Sequence, residues 1–199
     1  MNTSEIIDAA VKVLRDGGVI LYPTDTVWGI GCDACNEKAV EKVFGIKNRS
    51  GAKSMIVLAS DLDMVARYVR EIPSMAIDLV EVNDAPMTII YPGAQYLAPS
   101  VVADDGSVGI RIPLSQSDSP EEDGGAFCRE LVRRLRKPLV STSANVSGQP
   151  SPLSFDEIPQ EVLSAVDYVV PKGCGRNSSG RASQIIRLGL KGEVEIIRP

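Results

Sequence analysis

The feature that most restricts the fold is a series of short apolar runs, each closed by proline, glycine or hydroxyl-bearing residues: VILY (19–22), SMIVLA (54–59), MTIIY (87–91), SVGIRI (107–112) and LVSTS (139–143). Runs of this length, rich in β-branched residues, read as strands, and continuous apolarity reads as burial on both faces. DYVVP, ASQIIRL and EVEIIRP add three more towards the end of the chain. Segments of helical period lie between them. Residues 5–16 put Ile6, Ile7, Ala10, Val11 and Leu14 on one face and stop at Gly17-Gly18. NEKAVEKVFGIK (36–47) has Asn36 as its N-cap and Ala39, Val40, Val43 and Phe44 on one side. Ser60, with Asp63 three positions on, predicts a capped helix carrying Leu62, Val65, Ala66 and Val69; SMAIDLVEV (74–82) predicts a short helix. DGGAFCRELVRRLRK (123–137) is predicted helical in its second half, with Phe127, Leu131 and Leu135 inward. Helices and strands mix without a strict βαβ repeat, so the expected fold is a single α/β domain over 1–199, a twisted mixed β-sheet flanked by helices.

Composition narrows the function classes. With 44% hydrophobic and 24% charged residues, the chain falls among folded globular proteins rather than disordered ones. No apolar stretch approaches the length of a membrane span, and MNTSEIIDAAVKVLRD mixes charge with apolar residues as no signal peptide does; a cytoplasmic location with no membrane partner is expected. The chain has no histidine, which excludes Ser-His-Asp and Cys-His nucleophile arrangements and any imidazole base. Cys32 and Cys35 form a lone C-x-x-C that reads as ordinary thiols, with a redox dithiol or half of a zinc site as the alternatives; no metal site is assigned. A formal net charge of −5 argues against a protein that coats its whole surface for nucleic acid. Arg129, Arg133, Arg134, Arg136 and Lys137 read as a solvated helix face, with an RNA patch as the alternative.

Three strands run into loops rich in hydroxyls or positive charge: YPTDT (22–26), KNRSGAK (47–53) before strand 54–59, and STSANVSG (141–148). Lys47, Arg49 and Lys53 gather three positive charges, and Ser141, Thr142, Ser143, Asn145 and Ser147 offer short donors; together they suit an anionic, phosphate-bearing ligand. Each piece alone is also what an ordinary polar turn looks like. No G-x-x-x-x-G-K-[ST] loop is present, and GCGRNSSG is followed by a strand rather than the helix a dinucleotide site needs.

YPTDTVWGIG, KNRSGAKSM, APMTIIYPG, SVGIRIP, STSANVSGQPSP and a closing IIRP, in that order, resemble the YrdC family over nearly the whole chain. Its K-x-R and S-x-N signature is matched by Lys47, Arg49, Ser143 and Asn145. The resemblance implies a threonylcarbamoyl-AMP synthase, a nucleotidyltransferase that joins L-threonine, bicarbonate and ATP, with Mg²⁺, and releases pyrophosphate. Its product would pass to tRNA threonylcarbamoyl-transferase proteins. The resemblance implies catalytic roles for Lys47 and Arg49, an ATP site of Lys47, Arg49, Lys53, Ser107, Ser143, Asn145, Ser151 and Arg198, and a threonine site of Thr26, Arg111, Ser141 and Ser183. Tyr22 and Trp28 would close the threonine wall or simply pack, with packing favoured for Trp28. Ser115, Leu58, Gln184 and the Ser-Gly-Ala after Arg49 depart from the usual family pattern and bring the chain nearer the YciO branch, whose nucleotide-dependent activity can differ. Two further alternatives are a module binding tRNA or double-stranded RNA, disfavoured by the acidic balance, and a carbamoyl-transfer maturation enzyme, which would need domains that 199 residues do not hold.

Overall fold

The structure, a computed structural model, describes residues 1–48 and 55–199. Helix α1 (Thr3–Arg15) starts at a reciprocal cap: the Asn2 side chain accepts from the Glu5 amide at 2.9 Å, and Glu5 accepts from the Asn2 amide at 2.9 Å. It buries the five apolar residues its period predicts. β1 (Ile20–Tyr22) is wholly buried and pairs antiparallel with β2 (Gly29–Gly31), Leu21 opposite Ile30. The GIG segment is therefore a strand, where the sequence suggests only a polar loop. At Gly31 a Cβ would lie 2.4 Å from the Val140 carbonyl oxygen and 2.8 Å from Tyr22 Cε1, so the glycine is what lets the tyrosine ring and the Val140 main chain approach.

α2 (Glu37–Ile46) is capped by Asn36 as expected, and β3 (Ile56–Leu58) follows. α3 (Leu62–Tyr68) corrects the cap expected at Ser60. The Asp61 carboxylate accepts from the Met64 amide at 2.7 Å, while Ser60 donates its hydroxyl to Asp61. Met64, not Ala66, joins Val65 in the core, so the buried face runs through Met64, Val65 and Val69. α4 (Ser74–Val82), β4 (Met87–Tyr91) and β5 (Val108–Arg111) match their predicted segments closely.

α5 (Gly124–Leu135) begins a full turn before the predicted half-segment, because Asp123 accepts from the Ala126 amide at 2.8 Å and starts the helix directly on the two glycines. A Cβ on Gly124 would lie 2.2 Å from the Thr24 carbonyl oxygen, and one on Gly125 1.8 Å from that of Leu114. These glycines serve close approach, not chain flexibility. β6 (Leu139–Ser143), α6 (Gln160–Ala165), β7 (Tyr168–Val169), β8 (Gln184–Leu188) and β9 (Val194–Arg198) complete the chain.

The strands form one mixed sheet in the order β7-β1-β2-β6-β3-β5-β4-β8-β9. β1/β7, β3/β5 and β4/β8 are parallel and the other pairs antiparallel. α1 packs against α5, and the buried residues of helices and strands form one hydrophobic cluster. The charged stripe of α5 largely pairs with its own neighbours: Arg133 and Arg134 with Glu130, Arg134 also with Asp8 at 2.8 Å, and Lys137 with Asp33 at 2.6 Å. That pairing supports the solvated-face reading. Among the described residues, no helix is long and apolar enough to cross a membrane.

Candidate functional site

Strand alternation turns one sheet face into a cavity floor. In β4, Met87, Ile89 and Tyr91 go to the core, while Thr88 and Ile90 line a cavity of about 770 Å³, within the range of small-molecule sites. Seven of the nine strands among the described residues contribute to its wall, among them β2 through Gly29, β5 through Gly109 and Arg111, β6 through Ser141–Ser143, and β9 through Ile197 and Arg198. Thr26, Trp28, Ser107, Ser151, Leu153 and Ser183 come from loops.

The predicted residues that the structure describes fall into two groups. Thr26, Ser107, Arg111, Ser141, Ser143, Ser151, Ser183 and Arg198 all line this one cavity. Lys47 and Asn145 stand behind it. Lys47 is 3% exposed; its ammonium donates to the Ser143 carbonyl at 2.6 Å and to Asn145 Oδ1 at 3.1 Å. Asn145 Oδ1 also accepts from the Ser143 hydroxyl at 2.5 Å, and its Nδ2 donates to the Val146 and Gln149 carbonyls. The two halves of the signature, ninety-eight positions apart, are thus in direct contact. The Asn145 amide is engaged inside the protein, so it holds Lys47 and the 146–149 turn rather than facing ligand. Arg49 and Lys53 lie outside the described residues.

Arg111 is not the lone guanidinium its strand suggests. Its Nη2 lies 3.3 Å from Asp25 Oδ1, both side chains being buried, and its Nη1 donates to the Thr26 hydroxyl at 3.0 Å. Burial pushes the Asp25 carboxyl above its ordinary range, and the guanidinium and the Leu114 amide, which donates to Oδ2 at 3.2 Å, pull it partly back. Across the register, Arg111 is opposite Thr88, whose hydroxyl shares a 2.8 Å hydrogen bond with Ser183. The Arg198 guanidinium donates to the Ser183 carbonyl at 2.9 and 2.5 Å. Burial, and then the charge of Arg111, lower the Arg198 pKa, as expected for two cations at one end of a cavity. Such an end suits an anion.

Ser107 reaches the cavity, but its hydroxyl donates to Asp105 at 2.6 Å; this bond and one from Arg187 lower the Asp105 carboxyl to about 2. Trp28 both lines the cavity and packs edge-on against Phe155, ring centroids 5.0 Å apart. Burial raises the Tyr22 phenol well above its usual range. Burial likewise raises the thiols of Cys32 and Cys35, opposite to what a reactive dithiol requires. Among the described residues, no group of three or more His, Cys, Asp or Glu side chains could hold a metal ion.

Sequence reasoning missed Asp25, Thr88 and Arg187. Thr88 and Arg187 carried a signal, since each is a polar residue set in an apolar strand, MTIIY or QIIRL. Asp25 stood in a motif already singled out, but its turn-like surroundings concealed that it is buried.

The chain is 35% identical over 167 residues to the threonylcarbamoyl-AMP synthase of Stenotrophomonas maltophilia, covering 82% of this chain and 84% of that protein. It is 32% identical over 191 residues to the enzyme of the same name from Pseudomonas aeruginosa, covering 96% and 95%. Among solved structures, P. abyssi Sua5 complexed with L-threonine superposes with a TM-score of 0.80 at 24% identity, covering 94% of this chain and 52% of that one, so the chain spans about half the length of that protein. The family model Sua5_yciO_yrdC, described as "Telomere recombination", matches residues 12–199, and the chain belongs to the Sua5/YciO/YrdC family.

Proposed function

We propose that this protein is an L-threonylcarbamoyl-AMP synthase, a nucleotidyltransferase that forms threonylcarbamoyl-AMP and pyrophosphate from L-threonine, bicarbonate and ATP. The observation that carries the reading is the convergence of eight expected substrate residues, drawn from loops and strands between positions 26 and 198, on one cavity with two guanidinium groups at one end. The names of the curated relatives point the same way.

The chemistry fits a site without imidazole. The threonine amine takes up carbon dioxide, derived from bicarbonate, and loses a proton to give a carbamate anion. A carbamate oxygen then attacks the α-phosphorus, the bond from that phosphorus to the bridging oxygen breaks, and pyrophosphate leaves. The nucleophile brings its own charge, so the protein's tasks are alignment and neutralisation. In this reading Arg111 takes the threonine carboxylate, Thr26, Ser141 and Ser183 orient the amino acid, and Ser107, Ser143, Ser151 and Arg198 line the nucleotide's path. Lys47, with Arg49 and Lys53, supplies positive charge to the phosphates. Mg²⁺ would enter with ATP, whose phosphates would carry it, and would neutralise phosphate charge there. The product would pass to proteins that threonylcarbamoylate tRNA.

Pyrophosphate release measured with ATP, Mg²⁺ and bicarbonate, and with each amino acid in turn, tests this. Release should require L-threonine. Release independent of amino acid, or dependent on a different one, overturns the substrate assignment.

A further inference from the structure

Among the described residues, three buried side-chain polar atoms lack a hydrogen-bond partner: Tyr22 Oη, Asp25 Oδ1 and Arg111 Nε. Two of them, Asp25 Oδ1 and Arg111 Nε, belong to one ion pair, in which Arg111 Nη2 lies 3.3 Å from Asp25 Oδ1. Buried polar groups are ordinarily satisfied, so two such atoms in one buried ion pair single out the contact between Asp25 and Arg111.

The hydrogen bonds around Arg111 have a fixed direction. Thr24 donates its hydroxyl to the Val27 carbonyl at 2.6 Å and accepts from the Thr26 amide at 3.0 Å. Its 2.9 Å contact with the Thr26 hydroxyl must then use the Thr26 proton. Thr26 Oγ1 is left as an acceptor and takes the Arg111 Nη1 hydrogen. One edge of the guanidinium is therefore pinned to the strand exit, but one hydrogen bond to a hydroxyl does not fix a long side chain that can still turn about its final torsions.

Asp25 supplies the second hold. Its Oδ1 faces Nη2, and its Oδ2 accepts from the Leu114 amide, three residues beyond Arg111 on the segment leaving β5. A single carboxylate thus ties the arginine's head to the main chain following the arginine. Asp25 is itself strapped in place, because its carbonyl accepts from the Ser179 amide at 2.8 Å and that of Thr26 from the Gly180 amide at 2.9 Å. Asp25 is absent from the cavity wall that Arg111 and Thr26 line, so it acts on what enters only through its neighbours. It also offsets the arginine's buried charge, since a buried guanidinium left unpaired would be costly.

We propose that Asp25 is a positioning residue for Arg111: its carboxylate holds the guanidinium turned so that the Nη1 and Nη2 hydrogens not taken up by Thr26 and Asp25 meet the carboxylate of an amino-acid substrate. The proposal rests on the threonine reading above. It assigns Asp25 no contact with substrate and no proton transfer.

The test is equilibrium binding of L-threonine and, separately, of a non-hydrolysable ATP analogue, to the unaltered protein, Asp25→Asn, Arg111→Gln and the double variant. Asp25→Asn should weaken threonine binding about tenfold or more and leave analogue binding within about twofold, a split that a general loss of structure would not produce. In the double variant, threonine should bind no more weakly than in Arg111→Gln alone, because a residue acting through Arg111 has nothing left to position. Threonine binding unchanged in Asp25→Asn, or a further large loss in the double variant, overturns the proposal. If Asp25→Asn does not fold, Arg111→Gln against the charge-neutral double variant decides by itself. Failure of the unaltered protein to bind threonine is a separate outcome, and it overturns the substrate reading on which the proposal stands.

Discussion

Lys47 does two things at once at the residue scale. Its ammonium bridges β6 to the turn that follows, through Ser143 and Asn145, and it is one of the cations assigned to the nucleotide phosphates. Lys47→Ala should therefore weaken ATP binding about ten- to a hundredfold and also cost about 1–3 kcal/mol of stability, because the partners of a buried charged donor lose it together. For a chain of this size that is a fall in Tm of about 2–4 °C per kcal/mol, readable by calorimetry. ATP affinity lost with no change in Tm would mean the contacts to Ser143 and Asn145 contribute nothing to the fold. Asp105 gives a pH-dependent counterpart. Hydrogen bonds from Ser107 and Arg187 stabilise its ionised form and hold its carboxyl at about 2. A depressed carboxylate contributes stability that is present above its ordinary pKa and is lost as pH falls through the folded value, so the window runs from about 4 down to about 2. Carboxyl NMR titration should place the Asp105 midpoint near 2 and move it upward in Ser107→Ala; a midpoint near 4 in the unaltered protein would contradict the geometry. Among the described residues the site was legible in the YPTDT and STSAN stretches, which bring Thr26, Ser141 and Ser143 to the cavity wall. It was illegible at Asp25, because a buried aspartate and a turn aspartate are the same letter, and only the ion pair with Arg111, distant along the chain, distinguishes them.

Elements are where the sequence misled most, and glycine is the reason. β2 carries the letters GIG, and neither its length nor its composition argues for a strand; pairing with β1 and β6 imposes extension on it. The start of α5 was misplaced for the same reason, since two glycines lower helix propensity, yet Asp123 and the crowding of the Thr24 and Leu114 carbonyls require them there. Asp123 also accepts from the Gln116 amide at 3.1 Å, so the cap fastens the loop leaving β5. Asp123→Ala should cost about 1 kcal/mol, seen as a lower Tm, and should raise hydrogen exchange at the Ala126 and Gln116 amides together. Exchange rising at Ala126 alone would show that the loop is held by other contacts. Helices of clear period, such as α1 and α2, were placed correctly because their buried faces and their caps agree.

For the whole molecule, mixed pairing follows from a chain whose strands leave and re-enter one sheet from both sides of its centre, an order that local pattern cannot supply. One edge of that sheet is β9, exposed along its full length, with Ile196 at 69% and Val194 at 52%. An exposed apolar edge strand is a template for pairing with another chain. Ile196→Lys should lower light scattering at high protein concentration while leaving pyrophosphate release unchanged, since Ile196 lies outside the cavity wall. Scattering that does not depend on this residue would mean that the edge is not adhesive.

The cavity draws on nearly the entire length of the chain, from Thr26 to Arg198. During synthesis, β1 with β2, and β3 with β5 and β4, can begin to pair before β6 emerges to join them, but the cavity end that carries Arg198 waits for residue 198 to emerge. A nascent chain therefore has no complete pocket to offer ATP or an amino acid, and neither ligand can assist its folding until translation has passed β9.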